Sequence, residues 1–455
     1  MLIEYRSRIR DAKVFRYIYI YISGVMMCAA VLSLVVSRGD FWKYLIWNGE
    51  TAGIFPDFFE SIGGALSRTP YENGSIYPAF AYCVCFVLGK LIPGFEPMNW
   101  AGSSTERVAA TVAFYFFFIC IALILLLIQK LSVGDRICDG VVAMAFLTSA
   151  PLIYAVERGN MVVLSALLTF FFIYGHASEN RVCRIFSYIA LACAAGLKIY
   201  PAILGVLVLQ EEQRQTKKIL TLLLCGLLVF FVPFVIYGDF SDIVKMINNI
   251  LALNGETIAD TRNFGYGFKV SIQNFIELLS DYHGMDVRLN PALVSVIFML
   301  FLVCASFFLK QKWKRVACLC LVLVIVPTFS WIYNGIYMLP PFLLFLKETL
   351  KKPQVKPIDY LYLVLFLGMF IPMPYGELWS GLGGANKMNT ATFCCFMALL
   401  IMAVCLVIEA IKSVLNKIDF CVLRPMPSKR GNLRKAGECA VITENLNPNK
   451  QECEK

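Results

Sequence analysis

Apolar runs long enough to cross a bilayer recur from one end of this chain to the other. That pattern constrains the fold more than any motif does. A backbone surrounded by lipid must satisfy its own N–H and C=O groups, which favours helices. Each crossing needs about 20 apolar residues. Composition agrees: 59% of the 455 residues are hydrophobic and only 16% are charged, against about 25% charged in soluble domains. The weak alternation of an outer-membrane barrel is absent. The expected class is therefore an all-α, polytopic membrane protein.

The formal charge of +10 is a topology signal here and not a nucleic-acid footprint, because the basic residues cluster in short loops between apolar runs. Arg6, Arg8, Arg10, Lys13 and Arg16 precede the first run and place the amino terminus inside. That run lacks a small-residue cleavage site and reads as an anchor. Most of the 17 cysteines lie within apolar runs, where cysteine behaves as a small hydrophobe. His176 and His283 stand apart from any cysteine pair, so no zinc or redox site is expected. No Gly-Lys-Ser/Thr phosphate loop is present, and Phe264–Phe268 lacks the context of one.

Ile76 to Pro93 decides the topology. It is apolar, but it contains Pro78, Gly89 and Lys90 and ends at Pro93. Counted as a full span, it turns every later basic cluster outward, against the charge rule. Read instead as a juxtamembrane or re-entrant segment on the outer face, it leaves about 12 spans with both termini inside. Residues 1–412 then form the membrane domain. Residues 37–107 make a first outer loop and 238–290 a second. The polar tail, 413–455, reads as a disordered cytoplasmic extension. No Asp or Glu sits at mid-depth of a central span, where an ion-coupled transporter needs one.

The candidate chemistry lies in the outer segments. Asp40 follows the first span directly. It suits either the N-cap of a short helix, Phe41 to Asn48, or a general base just above the bilayer. Asp57 and Glu60 compete for that role, and Asp57 suits equally the cap of a helix from Phe58 to Leu66. Arg158 and Lys198 fall at outer ends of spans. Long basic side chains there snorkel readily, but two of them in outer turns run against the charge bias. A lipid phosphate at that depth is a natural partner for both.

Gly39-Asp40-Phe41 with Tyr44, then Tyr77-Pro78, Arg158-Gly159-Asn160 and Lys198-Ile199-Tyr200-Pro201, occur in an order that resembles the GT-C-fold, polyprenol-phosphate-sugar-dependent glycosyltransferases of family 87. The resemblance covers roughly the first half of the chain. One departure is Pro78-Ala79, where the pattern has two prolines. The resemblance implies a GT-C-like fold with outer-face juxtamembrane helices after the first span. It implies sugar transfer from a polyprenyl-phosphate donor to a glycan or glycolipid acceptor, with inversion, on the outer face of a bacterial inner membrane. It also implies Asp40 as base, Arg158 and Lys198 on the donor phosphate, and Tyr44, Tyr77, Asn160 and Tyr200 near substrate. The scheme needs no cofactor and no metal, although a divalent ion is compatible with it. The readings from other classes are a polysaccharide or lipid-linked oligosaccharide flippase, and a polymerase.

Overall fold

The computed structural model describes residues 2–38, 54–103, 106–131, 135–211, 216–255, 267–269, 271–273, 276, 288–327, 330–352, 354–370 and 390–422. Among them the chain is helical and contains no strand. It divides into two units, Met1–Ile411 and Lys412–Lys455. The second is described only through the last turns of the final helix, as far as Val422. Asp40, Tyr44 and the helix expected at Phe41–Asn48 lie outside the described residues, as do most of the 256–290 stretch and the tail.

Among the described residues five helices are long and apolar enough to cross a membrane. They are α1 (Leu2–Val36, apolar from Ala12), α4 (Arg107–Lys130), α9 (Thr216–Tyr237), α11 (Pro291–Phe308) and α15 (Thr390–Val422, apolar over Cys394–Asn416). The pair α5 (Arg136–Leu147) and α6 (Ala150–Glu157), bent by 46°, forms either a sixth, broken span or a re-entrant loop. The bend has a local cause: the helix stops at Thr148, and the Ser149 hydroxyl accepts from Leu152 N–H to start a new one with Pro151 in its first turn. Large apolar side chains stand outward on the long helices, among them Phe114, Phe118 and Leu126 on α4 and Leu300 and Phe301 on α11. In water such faces are costly; in lipid they are the expected surface. The chain is an integral membrane protein by these helices.

The expected count of about 12 spans exceeds these five or six. The other apolar helices are shorter: α3 (Ala79–Lys90), α7 (Val162–Gly175), α8 (Arg181–Leu197), α12 (Lys312–Ile325), α13 (Leu339–Thr349) and α14 (Pro357–Met369). At 1.5 Å per residue, α3 is roughly 18 Å long, too short for a hydrocarbon core of about 30 Å. Helix α7, and α12 beyond its basic first turn, are apolar on all sides, the mark of an interior helix. From Val316 to Ile325 every residue of α12 is buried. Tyr200–Gly205 and Ile332–Met338 are 3-10 turns that interrupt the regular helices.

Two elements position the candidate site. Helix α2 runs from Pro56 to Ser67 and packs on α3. Its cap is Phe55, in a left-handed conformation with no side-chain bond, so Asp57 lies inside the first turn and does not cap it. The second element, α10 (Ser241–Gly255), occupies a stretch taken from sequence as loop. Its Asn249 side-chain amide donates to the carbonyls of Tyr71 and Ser75 and holds that turn in place.

Candidate active site

A cavity of about 830 Å³ opens between α2, the turn after it, the end of α6 and the 331–333 segment. Asp57, Glu60, Tyr77, Tyr154, Arg158, Trp331 and Tyr333 are among its walls. Carboxylates, a guanidinium and aromatic rings thus face one space, a combination suited to a polar ligand with apolar faces.

The acidic and basic walls are stitched together by backbone. Phe55 N–H donates to the Glu157 carbonyl at 3.0 Å and Asp57 N–H to the Arg158 carbonyl at 2.9 Å. The Asp57 carboxylate pairs with the Arg158 guanidinium through Oδ1 and accepts from Asn160 Nδ2 at 2.7 Å through Oδ2. Asn160 is buried, and its own side-chain oxygen accepts from Val162 N–H to begin α7. Both oxygens of Asp57 are therefore engaged. Burial works against the charge on Arg158, and Asp57 outweighs it, so the guanidinium holds its proton more tightly than usual. Glu60 sits beside this pair. Partial burial and then the Asp57 charge push its carboxyl above the ordinary range, with Arg158 offsetting part of the effect.

Gly159 makes the join possible. Its φ is +67°, and a Cβ there falls 2.8 Å from the Cβ atoms of Phe55 and Phe58 and 2.9 Å from Phe55 Cα. We expect Gly159→Ala to cost about 1–2 kcal/mol from the left-handed backbone alone, and more from the contact with backbone. The Asp57–Arg158 pair separates as a result. Thermal unfolding of the purified protein and crosslinking between residues 57 and 158 measure both effects.

Lys198 ends α8, and only 5% of its surface is exposed. Its ammonium donates to Tyr77 Oη at 3.2 Å and stands over the rings of Tyr77 and Tyr333, 4.7 and 5.4 Å from their centroids. Among the described residues no carboxylate pairs with it. The tyrosines line the cavity while Lys198 lies behind them. Tyr200 turns away: its hydroxyl donates to Asn334 Oδ1 at 3.1 Å, and Asn334 Nδ2 donates to Ser330 Oγ at 3.0 Å.

The structure thus brings Asp57, Glu60, Tyr77, Arg158, Asn160 and Lys198 around one space, with Tyr200 set back. Tyr154, Trp331 and Tyr333 were not anticipated from sequence. The signal for the last two was present: Ser-Trp-Ile-Tyr-Asn-Gly places polar and aromatic residues together just after Pro327, where an apolar run stops. Among the described residues no group of three or more His, Cys, Asp or Glu side chains converges as a metal site does.

No curated protein and no solved structure matches this chain. A family model does match, that of glycosyltransferase family 87, over residues 75–330. The matched region holds Tyr77, Arg158, Asn160 and Lys198; it begins after Asp40, Asp57 and Glu60 and ends before Trp331 and Tyr333. It spans more than half of the 455 residues, and the chain belongs to glycosyltransferase family 87, as an integral-membrane member built of apolar helices.

Proposed function

We propose that the protein transfers a sugar from a polyprenyl-phosphate donor to an acceptor hydroxyl of a glycan or glycolipid, on the outer face of a bacterial inner membrane and with inversion at the anomeric carbon. The observation that carries this reading is the cavity itself, with carboxylates and Arg158 on its wall and the Lys198 ammonium held just behind Tyr77 and Tyr333. In the proposed step the acceptor oxygen bonds to the anomeric carbon while the bond from that carbon to the phosphate oxygen breaks. The electron pair leaves with the phosphate. The acceptor proton passes to a carboxylate.

A phosphate leaving group needs cationic stabilisation more than it needs a proton. Arg158 and Lys198 supply that charge, Lys198 with an ammonium that no carboxylate among the described residues neutralises. Asp57 is a poor base in this arrangement, since Arg158 and Asn160 occupy both of its oxygens. It positions Arg158 instead. Asp40 remains the proposed base. Glu60, whose carboxyl burial and Asp57 push above its ordinary range, is the alternative among the described residues. Tyr44, Tyr77 and Asn160 are assigned to the substrate surroundings, and Tyr200 to the second layer.

The test is reconstitution in vesicles with a radiolabelled polyprenyl-phosphate sugar and no ion gradient. Sugar transferred to the acceptor supports the enzyme. Labelled lipid that crosses the bilayer with its sugar still attached supports a flippase and overturns the proposal. Sidedness has its own measurement. Single cysteines at positions 158 and 198 should react with impermeant reagent from outside, and cysteines at 214 and 312 from inside, as the basic clusters require. Reaction of both pairs from one side refutes the outer-face assignment.

A further inference from the structure

Helix α9 ends at Tyr237, and α10 begins four residues later. The turn between them is held by its own acids. Asp239 Oδ1 accepts from Ser241 N–H at 3.3 Å, and the Asp242 carboxylate accepts from Asp239 N–H at 3.1 Å. This is the cavity end of α9, because the Tyr237 hydroxyl donates to the Ala65 carbonyl of α2. The helix that follows has three unlike faces. Val244, Ile247 and Leu251 fall within an arc of about 60° around its axis, and each is between 46% and 64% exposed. Ser241 and Asn248, also exposed, lie about a quarter turn to one side. Asp242, Met246 and Asn249 fall opposite the apolar arc. Met246 is buried, and the Asn249 amide donates to the Tyr71 and Ser75 carbonyls, both at 2.9 Å. Lys245 pairs with Asp242 at 3.0 Å and approaches Glu72 at 3.8 Å.

These contacts fix the level of the helix. Lys245 and Asn249 are one helical turn apart, and both reach the 71–75 turn. The Tyr71 ring in turn stacks on Phe234 in the last turn of α9, with centroids 5.8 Å apart. Helix α10 therefore runs across the end of the span and does not continue away from it. Its apolar arc prolongs the outward side of α9, where Val232, Val235 and Ile236 are exposed, followed by Phe240 in the turn. A contiguous apolar surface of this kind is unfavourable in water. A helix that crossed the bilayer would instead carry Ser241 and Asn248 into hydrocarbon. One apolar face beside one polar face is the pattern of a helix lying in the interface.

We propose that α10 lies flat at the boundary between headgroups and acyl chains, in the leaflet at the cavity end. Val244, Ile247 and Leu251 enter the acyl chains, and Ser241 and Asn248 face the water. Asn249 then ties the membrane surface to the cavity, because the turn that it holds supplies Pro70, Asn73, Gly74 and Ser75 to the cavity wall. The depth of α10 in the lipid sets the height of that rim. The lipid contact does not depend on the transfer reaction.

The experiment uses the full chain in nanodiscs of phosphatidylethanolamine and phosphatidylglycerol. A photoreactive benzoylphenylalanine is placed singly at positions 236, 247, 248 or 251, and adducts are read by mass spectrometry. Expected are phospholipid adducts at 247 and 251, as at 236 on the span, and few or none at 248. Lipid adducts at 236 with none at 247 and 251 overturn the proposal. So do equal lipid adducts at 247 and 248, or adducts that join 247 and 251 to a second copy of the chain. Hydrogen exchange in the same nanodiscs tests the tie to the cavity. The amides of Glu72 and Ser75, which donate within the turn, should exchange about tenfold faster in Asn249→Leu, which removes both side-chain hydrogen bonds. Leu251→Asp should speed the same amides and leave α12 unchanged. Unchanged exchange of the turn in both variants overturns the tie.

Discussion

Asp40→Asn is expected to slow sugar transfer by about 100- to 10,000-fold, the usual contribution of a general base, while leaving donor-lipid binding intact. Asparagine keeps the size and the N-capping capacity of aspartate, so the variant should insert and fold normally. Asp40→Glu should retain a trace of activity, because one methylene displaces the carboxylate and catalysis is sensitive to such shifts. Two comparisons give the measurement its meaning. Glu60→Gln should remain active, since the role belongs to Asp40. Asp57→Asn should lose donor affinity more than intrinsic rate, because it frees Arg158 from one of its anchors. A dead Glu60→Gln beside a fully active Asp40→Asn reassigns the base to α2. Full activity in all three removes carboxylate catalysis from the mechanism.

The second large effect belongs to the cations. Lys198→Met keeps most of the buried stem and removes the charge, so its loss should report electrostatics and not packing. Loss of one group that stabilises developing charge costs about 100- to 1,000-fold in rate. Lys198→Ala should match it in activity and fall below it in thermal stability. Lys198→Arg should recover part of the rate: the charge survives, but the larger, planar guanidinium presents its donors in a different geometry from the ammonium that stands over the Tyr77 and Tyr333 rings. Arg158→Ala should lower both donor affinity and rate. Turnover equal to the unmutated rate in Lys198→Met and Arg158→Ala returns both residues to a purely structural role.

Much of this was legible in the sequence, because lipid imposes strong rules. Apolar runs announced the helical membrane class, and the glycosyltransferase family followed from short motifs in the right order. The span count was less legible. Length and apolarity do not distinguish a helix that crosses lipid from one buried among other helices, and α7 and α12 meet both descriptions. The 148–149 break between α5 and α6 depends on one serine hydroxyl turning back on the chain, which no periodicity reveals. At the site, Arg158 and Lys198 stood out because they opposed the charge bias. Tyr333 did not, because an aromatic residue in an apolar chain is unremarkable until its neighbours are known. The clamp of Asp57 by Arg158 and Asn160 joins residues about a hundred positions apart, and nothing local encodes it.

That separation also sets the order in which the site is assembled. Tyr77 meets Lys198 across 121 residues, and Tyr333 is made later still. At roughly 5–20 residues per second, the time between synthesis of Lys198 and synthesis of Tyr333 is on the order of ten seconds. Through that interval the ammonium has one aromatic wall and not two. The helices can enter the bilayer one by one as they emerge, but the pocket cannot mature with them. Its completion waits for the 331–338 segment to return across everything laid down before it. Chains halted before that segment should be inserted yet lack a finished cation cage, and quality control of this protein has a late structural event to monitor.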